Sequence, residues 1–202
     1  PVVVRFEDGR PVFARFTTAL LPEHRPSPHS VEELAAMIGL EASDIGGSYP
    51  NGTHLAPEMV SCGLEYFVIP VRTLDAVRRS SLDTARWQRM LADSWAHHVY
   101  VVTLEAEGSD VDVHVRMYAP GSGVPEDPAT GSAAAALGGY LSKVEGSEDA
   151  SLSWTVEQGL EIGRPSLLYV EADRSGGTTS AVRVGGSAVS VSRGTMAVPR
   201  EV

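Results

Sequence analysis

Residues 116–133 read Arg116-Met-Tyr-Ala-Pro-Gly-Ser-Gly-Val-Pro-Glu-Asp-Pro-Ala-Thr-Gly-Ser-Ala133 and run straight into Ala134-Ala-Ala-Leu-Gly-Gly-Tyr-Leu141. The second part predicts a helix over 133–143 with no polar face for two turns, and a helix that is apolar all round is a buried helix. Gly138 and Gly139 each cost about 1 kcal/mol relative to alanine in a helix interior. Close approach of a neighbouring backbone offsets that cost. The picture is a slim helix enclosed by sheet.

The loop ahead of that helix carries the chain's most specific chemistry. Thr130, Gly131, Ser132 and Ala133 stand at the helix start, where unpaired N–H groups and the positive end of the helix dipole face outward. Such a place binds a carboxylate or phosphate without Lys or Arg. Asp127 lies five residues before Ser132, between Glu126 and Pro128. An anion hole beside a carboxylate suits a small substrate bearing an acid and a group that needs proton transfer. A capped helix with a solvated acidic turn is the plainer reading, and from physics alone it is the commoner one. A dinucleotide site fits badly. Glu126 replaces the third glycine of G-x-G-x-x-G, Glu126 and Asp127 repel a pyrophosphate, and Pro125 and Pro128 disturb the tight turn. The serine-hydrolase elbow G-x-S-x-G does not occur.

Outward from this stretch, strands and a few helices interleave. Alternation at Val2, Val4 and Phe6, then Asp8-Gly9, then Val12, Ala14 and Phe16 predicts a hairpin. A proline-rich connector follows over 22–28. Ser30 caps a helix running to about Gly39, with Glu32 and Glu33 in its first turn. Residues 41–53 are turn-rich. Strands are expected at 59–60 and 64–71, helices at 74–79 and 83–94, and strands at 98–104 and 111–118. Beyond the buried helix, strands are expected at 151–157, 166–171, 181–184 and 188–198. The pattern is α+β, without a regular βαβ series.

Of the 202 residues 43% are hydrophobic, and 16 Lys+Arg against 26 Asp+Glu give a net charge of −10. That balance argues against nucleic acid or an anionic membrane surface as the partner. The longest uncharged runs fall well short of the ~20 apolar residues of a membrane helix. With no leader-like opening, the expectation is a soluble, cytoplasmic chain. Cys62 is the single cysteine, which excludes an internal disulfide and multi-thiolate metal sites. It is expected to be a small buried residue. His97 and His98 are expected on opposite faces of a strand, and His24, His29 and His54 in loops. His114, alternating with Val113 and Val115, is expected to point outward. No metal site is expected.

Four segments carry a family resemblance. Arg116 to Ala133 closely resembles the signature of the PhzF-like isomerase family of phenazine biosynthesis. Glu157-Gln-Gly-Leu-Glu-Ile-Gly-Arg-Pro-Ser166, Val184-Gly-Gly-Ser-Ala-Val189 and Ser61-Cys-Gly-Leu64 through Pro70 resemble further segments of that family, in order. The resemblance implies a diaminopimelate-epimerase-like α+β fold. It has two pseudo-symmetric domains, each a curved, mostly antiparallel sheet round one central helix, with the active site in the cleft between them. It also implies cofactor-independent proton shift on a small carboxylate substrate, in an enzyme that is commonly a homodimer. Asp127 would contact the substrate and assist proton transfer, and Gly131, Ser132 and Ala133 would bind the substrate's carboxylate.

Two departures qualify this. The family's general base, a glutamate in a Ser-Glu-Thr-like motif, and its Gly-His-Pro-Thr segment have no match in these residues. Residues 1–28 would therefore be the end of a first domain and linker. Residues 29–185 would be the second domain, and 186–202 a closing strand returning toward the first. The rest of the first domain, with its glutamate, is expected from an N-terminal segment outside this chain, and strands 2–16 are expected to pair with something outside it. The thiol pair of diaminopimelate epimerase and proline racemase is excluded here, since the loop 127–132 holds no cysteine. A non-catalytic small-acid binding protein on the same fold is the alternative.

Overall fold

Burial runs without a break from Ala133 to Ser142, so the predicted slim helix is enclosed on all sides. In the computed structural model, which describes residues 1–189 and 192–197, this helix is α4 (Gly131–Glu145). In chain order, β1 (Val2–Glu7), β2 (Arg10–Thr17) and β3 (Glu23–Pro26) come first, then α1 (Val31–Met37), β4 (Gly47–Ser48) and β5 (His54–Leu55). β6 (Glu58–Ser61), β7 (Glu65–Pro70), α2 (Leu74–Arg79), α3 (Thr84–Met90), β8 (His98–Thr103), β9 (Val113–Ala119) and β10 (Val124–Asp127) lead into α4. β11 (Ala150–Gln158), β12 (Ser166–Ser175) and β13 (Thr178–Gly186) follow it.

One sheet runs β1-β2-β13-β12-β11-β9-β8-β7-β6-β3, with β10 folded back on β9. Its pairings are antiparallel except β7 with β8 and β9 with β11. The two adjacent glycines of α4 show how the sheet curls. A Cβ on Gly138 would lie 2.7 Å from Val170 of β12 and 3.1 Å from Val182 of β13. One on Gly139 would lie 2.6 Å from Pro22, just ahead of β3, and 3.7 Å from Cys62, just after β6. The β12–β13 part of the sheet and its β6–β3 end thus both pack closely on one helix. Its C-terminal end is tied by the buried Arg174, whose guanidinium donates to the carbonyls of Ser142 (2.6 Å), Ser147 (2.5 Å) and Gly177 (2.7 Å). A cation there also complements the helix dipole.

A second layer covers the outer face of the central strands. Tyr66 and Val68 of β7 and Tyr100 and Val102 of β8 face α4. Their neighbours Phe67, Ile69, Val99 and Val101 pack under α1, α2 and α3 with Leu34, Met37, Val77 and Trp87. Strands buried on both faces read as unbroken apolar runs rather than alternations. α1 begins with a capping box, as its sequence predicts: Ser30 Oγ accepts from Glu33 N, and Glu33 Oε2 from Ser30 N.

Several elements differ from expectation. β3 occupies most of the proline-rich connector; as the edge of the sheet it tolerates proline on its unpaired side. β10 lies inside the loop expected to be irregular. α3 stops at Met90 rather than reaching 94. Of the strand expected over 188–198, residues 188, 189 and 192–197 have no strand, and 190, 191 and 198 lie outside the described residues. The expected hairpin is present, but β2 pairs within its own chain, Phe16 opposite Val184 on β13. β1 is exposed along its whole length, and its outer edge meets no strand among the described residues.

Candidate active site

The segment leading to α4 is pinned from below by an ion pair. Arg116, on β9, grips Glu126 through two hydrogen bonds of 2.9 and 2.7 Å and donates to Ser80 O at 2.6 Å. Burial works against the charge of Arg116, but Glu126 outweighs it and holds the guanidinium's pKa above its ordinary value. Glu126 is thereby consumed by structure. Its neighbour Asp127 turns the other way along β10, toward the helix start.

Around Asp127 a buried network closes. The Thr130 hydroxyl donates to Oδ2 of Asp127 at 2.5 Å. Gln158, fully buried at the end of β11, donates from Nε2 to the Asp127 carbonyl (2.6 Å) and to Thr130 Oγ1 (3.0 Å). Its Oε1 accepts from Thr130 N (3.4 Å) and from the Tyr100 hydroxyl (3.3 Å). Oδ1 of Asp127 has no hydrogen-bond partner among the described residues, and Asp127 itself is half-buried.

At the head of α4 the Thr130 side chain does not cap the helix, and the first intrahelical bond runs from Ala134 N to Thr130 O. The amides of Gly131, Ser132 and Ala133 are left as the orphan donors of the helix start. Ser132 Oγ meets the Tyr66 hydroxyl at 2.6 Å. Burial, first, pushes the Tyr66 phenol above its ordinary value, with Asp127 adding to the shift, so Tyr66 stays protonated at neutral pH. Gly131 lies against Phe16 of β2 and opens on a groove of about 770 Å³ whose other lining residues include Arg164, Leu167 and Gly185. Of the four residues expected at the site, Gly131 alone lines this groove; Asp127, Ser132 and Ala133 are not among its lining residues.

Thr130 is expected at the helix start; Gln158, Tyr66, Tyr100, Phe16 and Arg164 are additional to the residues expected here. Gln158 had the clearest signal, a polar amide closing a strand just before Gly159. Four other expectations need correction, the first being that His24 and His54 sit in loops, since they stand on β3 and β5. His114 does sit opposite Val113 and Val115, but that face is covered, and the wholly buried ring bonds Glu157 (2.7 Å) and Glu161 (2.8 Å). His97 precedes β8 rather than lying on it, so strand alternation does not separate it from His98, and their rings lie 4.2 Å apart. Cys62 is half-buried rather than enclosed; it faces the Ala135 carbonyl, and burial pushes its thiol up to about 12. Among the described residues no group of three or more His, Cys, Asp and Glu side chains is placed to hold a metal ion. Among the described residues no helix is long and apolar enough to cross a membrane.

Comparison with known proteins finds the same frame elsewhere. The family model described as phenazine biosynthesis-like protein matches residues 4–194. An uncharacterized isomerase of Mesorhizobium japonicum is 37% identical over 185 residues, 90% of this chain and 60% of that protein. A trans-2,3-dihydro-3-hydroxyanthranilate isomerase of Pseudomonas chlororaphis is 41% identical over 81 residues, 40% of this chain and 29% of that protein. The crystal structure of a Bacillus anthracis phenazine biosynthesis protein of the PhzF family superposes with a TM-score of 0.76 at 25% identity, over 92% of this chain and 60% of that one. The chain therefore spans 60% and 61% of the length of the first two curated relatives it matches.

Proposed function

This chain belongs to the phenazine biosynthesis-like family and has its diaminopimelate-epimerase-like α+β fold, and from that premise we propose that it carries one half of an isomerase active site. The substrate is a small carboxylate, held by the amides of Gly131, Ser132 and Ala133. The reaction is a cofactor-independent, suprafacial proton shift. A base removes a proton from one carbon, the double bond moves, and a proton returns to another carbon on the same face, so the composition is unchanged. Asp127 is the acid/base partner. The second group is a glutamate from an N-terminal segment outside this chain, in a protein whose first domain ends with residues 1–28 and which acts as a cytoplasmic homodimer.

The observation that carries this reading is the pairing, at one helix start, of three unspent amides with a carboxylate whose Oδ2 is tied and whose Oδ1 has no hydrogen-bond partner among the described residues. The substrate class proposed is a cyclic, hydroxylated amino acid with a ring double bond to relocate, a choice supported by the name of the Pseudomonas chlororaphis relative, trans-2,3-dihydro-3-hydroxyanthranilate isomerase. Mixing this chain with the upstream segment, or producing the uncut protein, should give turnover of a dihydro-hydroxyanthranilate-type substrate. Full turnover by these 202 residues alone would overturn the divided site. The alternative, a non-catalytic binder of small acids, rests on the amides alone and needs no contribution from Asp127.

A further inference from the structure

We infer that Gln158 is a positioning residue for this proton transfer. It aims the Thr130 hydroxyl proton at Oδ2 of Asp127 and so leaves Oδ1 as the one oxygen that exchanges a proton with the substrate. The inference rests on Asp127 being the acid/base partner.

The orientation of the Gln158 amide is dictated by two main-chain groups whose polarity cannot change. Oε1 faces the Thr130 N–H, a donor only, and Nε2 faces the Asp127 carbonyl, an acceptor only. A flipped amide would set donor against donor and carbonyl against carbonyl inside a fully buried site. The Tyr100 hydroxyl adds a second donor to Oε1, and complete burial pushes that phenol far above its ordinary range, so it remains a donor. With Nε2 fixed as a donor, Thr130 Oγ1 accepts from it. The hydroxyl's own proton is then left for Oδ2, a charge-assisted bond inside a buried chain of hydrogen bonds. A proton on Oδ2 would face the Thr130 proton. A substrate proton therefore arrives at, and leaves from, Oδ1.

The relay makes Gln158 and Thr130 act as one unit, which separates it from a strut that merely ties β11 to the loop. In the preparation active on the dihydro-hydroxyanthranilate-type substrate, Gln158→Leu and Thr130→Val should each lower kcat on the order of tenfold, the scale of one charge-assisted bond, with KM changed less than about twofold. The double variant should be no worse than about twofold beyond either single, and Thr130→Ser, which keeps the hydroxyl, should recover most of the rate. Independent losses that multiply in the double variant, or losses confined to KM, would overturn the relay.

Gln158→Glu supplies an isosteric control should the leucine variant fold poorly. Its ionised form cannot donate to Thr130 and should be slow. Its protonated form can, so kcat relative to the unsubstituted protein should rise as pH falls. A flat ratio would overturn the relay. A readout free of turnover is the Thr130 hydroxyl proton, expected as a slowly exchanging NMR resonance in this chain and absent in Gln158→Leu with the remaining spectrum intact. A resonance unchanged by the substitution would also overturn it. Turnover retained by Asp127→Asn would instead defeat the proposed function, while the hydroxyl resonance still reports on the relay.

Discussion

Gly159 packs so closely on Pro128 that a Cβ at Gly159 would lie 2.8 Å from the Pro128 carbonyl oxygen and 2.5 Å from that of Arg164, and its φ is +85°. The residue after Gln158 is thereby wedged between the loop that carries Asp127 and the turn that carries Arg164. Left-handed backbone in a non-glycine residue costs about 1–3 kcal/mol, and the contacts with two carbonyls add to it. Gly159→Ala should lower stability by about 2 kcal/mol or more in urea denaturation and reduce turnover, because the clash is with the backbone that positions Asp127. Unchanged stability and rate would show that this contact is not what sets the loop.

A pH-dependent contribution comes from the buried His114. Burial disfavours its charged form, but the hydrogen bonds to Glu161 and Glu157 outweigh burial and raise its pKa above 6.5. Burial likewise pushes Glu161 up, and the bond from His114 outweighs it, leaving that carboxyl below 4.5. The raised histidine stabilises the fold fully below 6.5 and loses its effect as pH rises through the folded value; the lowered glutamate stabilises it above 4.5 and loses its effect as pH falls. Their shared contribution is fullest between those limits. His114→Gln should therefore cost most there, about 3 kcal/mol for a broken buried pair, and less as pH climbs above neutrality. Denaturation midpoints across pH test the sign, and a cost that grew with rising pH would contradict it.

The glycines of α4 set helix propensity against packing. Alanine at Gly138 or Gly139 gains about 1 kcal/mol of propensity. It also drives a methyl to 2.7 Å from Val170 or 2.6 Å from Pro22. Overpacking of this kind costs about 1–3 kcal/mol. Packing should win at both positions, lowering the thermal midpoint of each alanine variant. A raised midpoint would mean that the sheet does not pack this closely on the helix.

Much of this architecture was legible because local signals agreed with tertiary need. The capping box at Ser30, the unbroken apolar runs of β7 and β8 and the all-apolar α4 each carry their environment in their own composition. The loop stood out through its charge and proline pattern. What escaped reading depended on distant partners. β3 was hidden by Pro26 and the prolines that flank it, and a strand at the edge of the sheet tolerates proline. His114 alternates as expected, but its acidic partners lie more than 40 residues away on β11 and the turn beyond it. Gln158 stood out as an amide just before Gly159, but its hydrogen-bond partners follow from β11 ending against the Asp127 loop, which its own segment does not specify.

The central claim is that Asp127 moves the proton while the helix-start amides hold the acid. Asp127→Ala in the turnover-competent protein, assayed for rate and, by calorimetry, for binding of the substrate carboxylate, tests both parts together. The account predicts a rate lowered by about a hundredfold or more with affinity changed only a few-fold. Turnover undiminished by the substitution would contradict it.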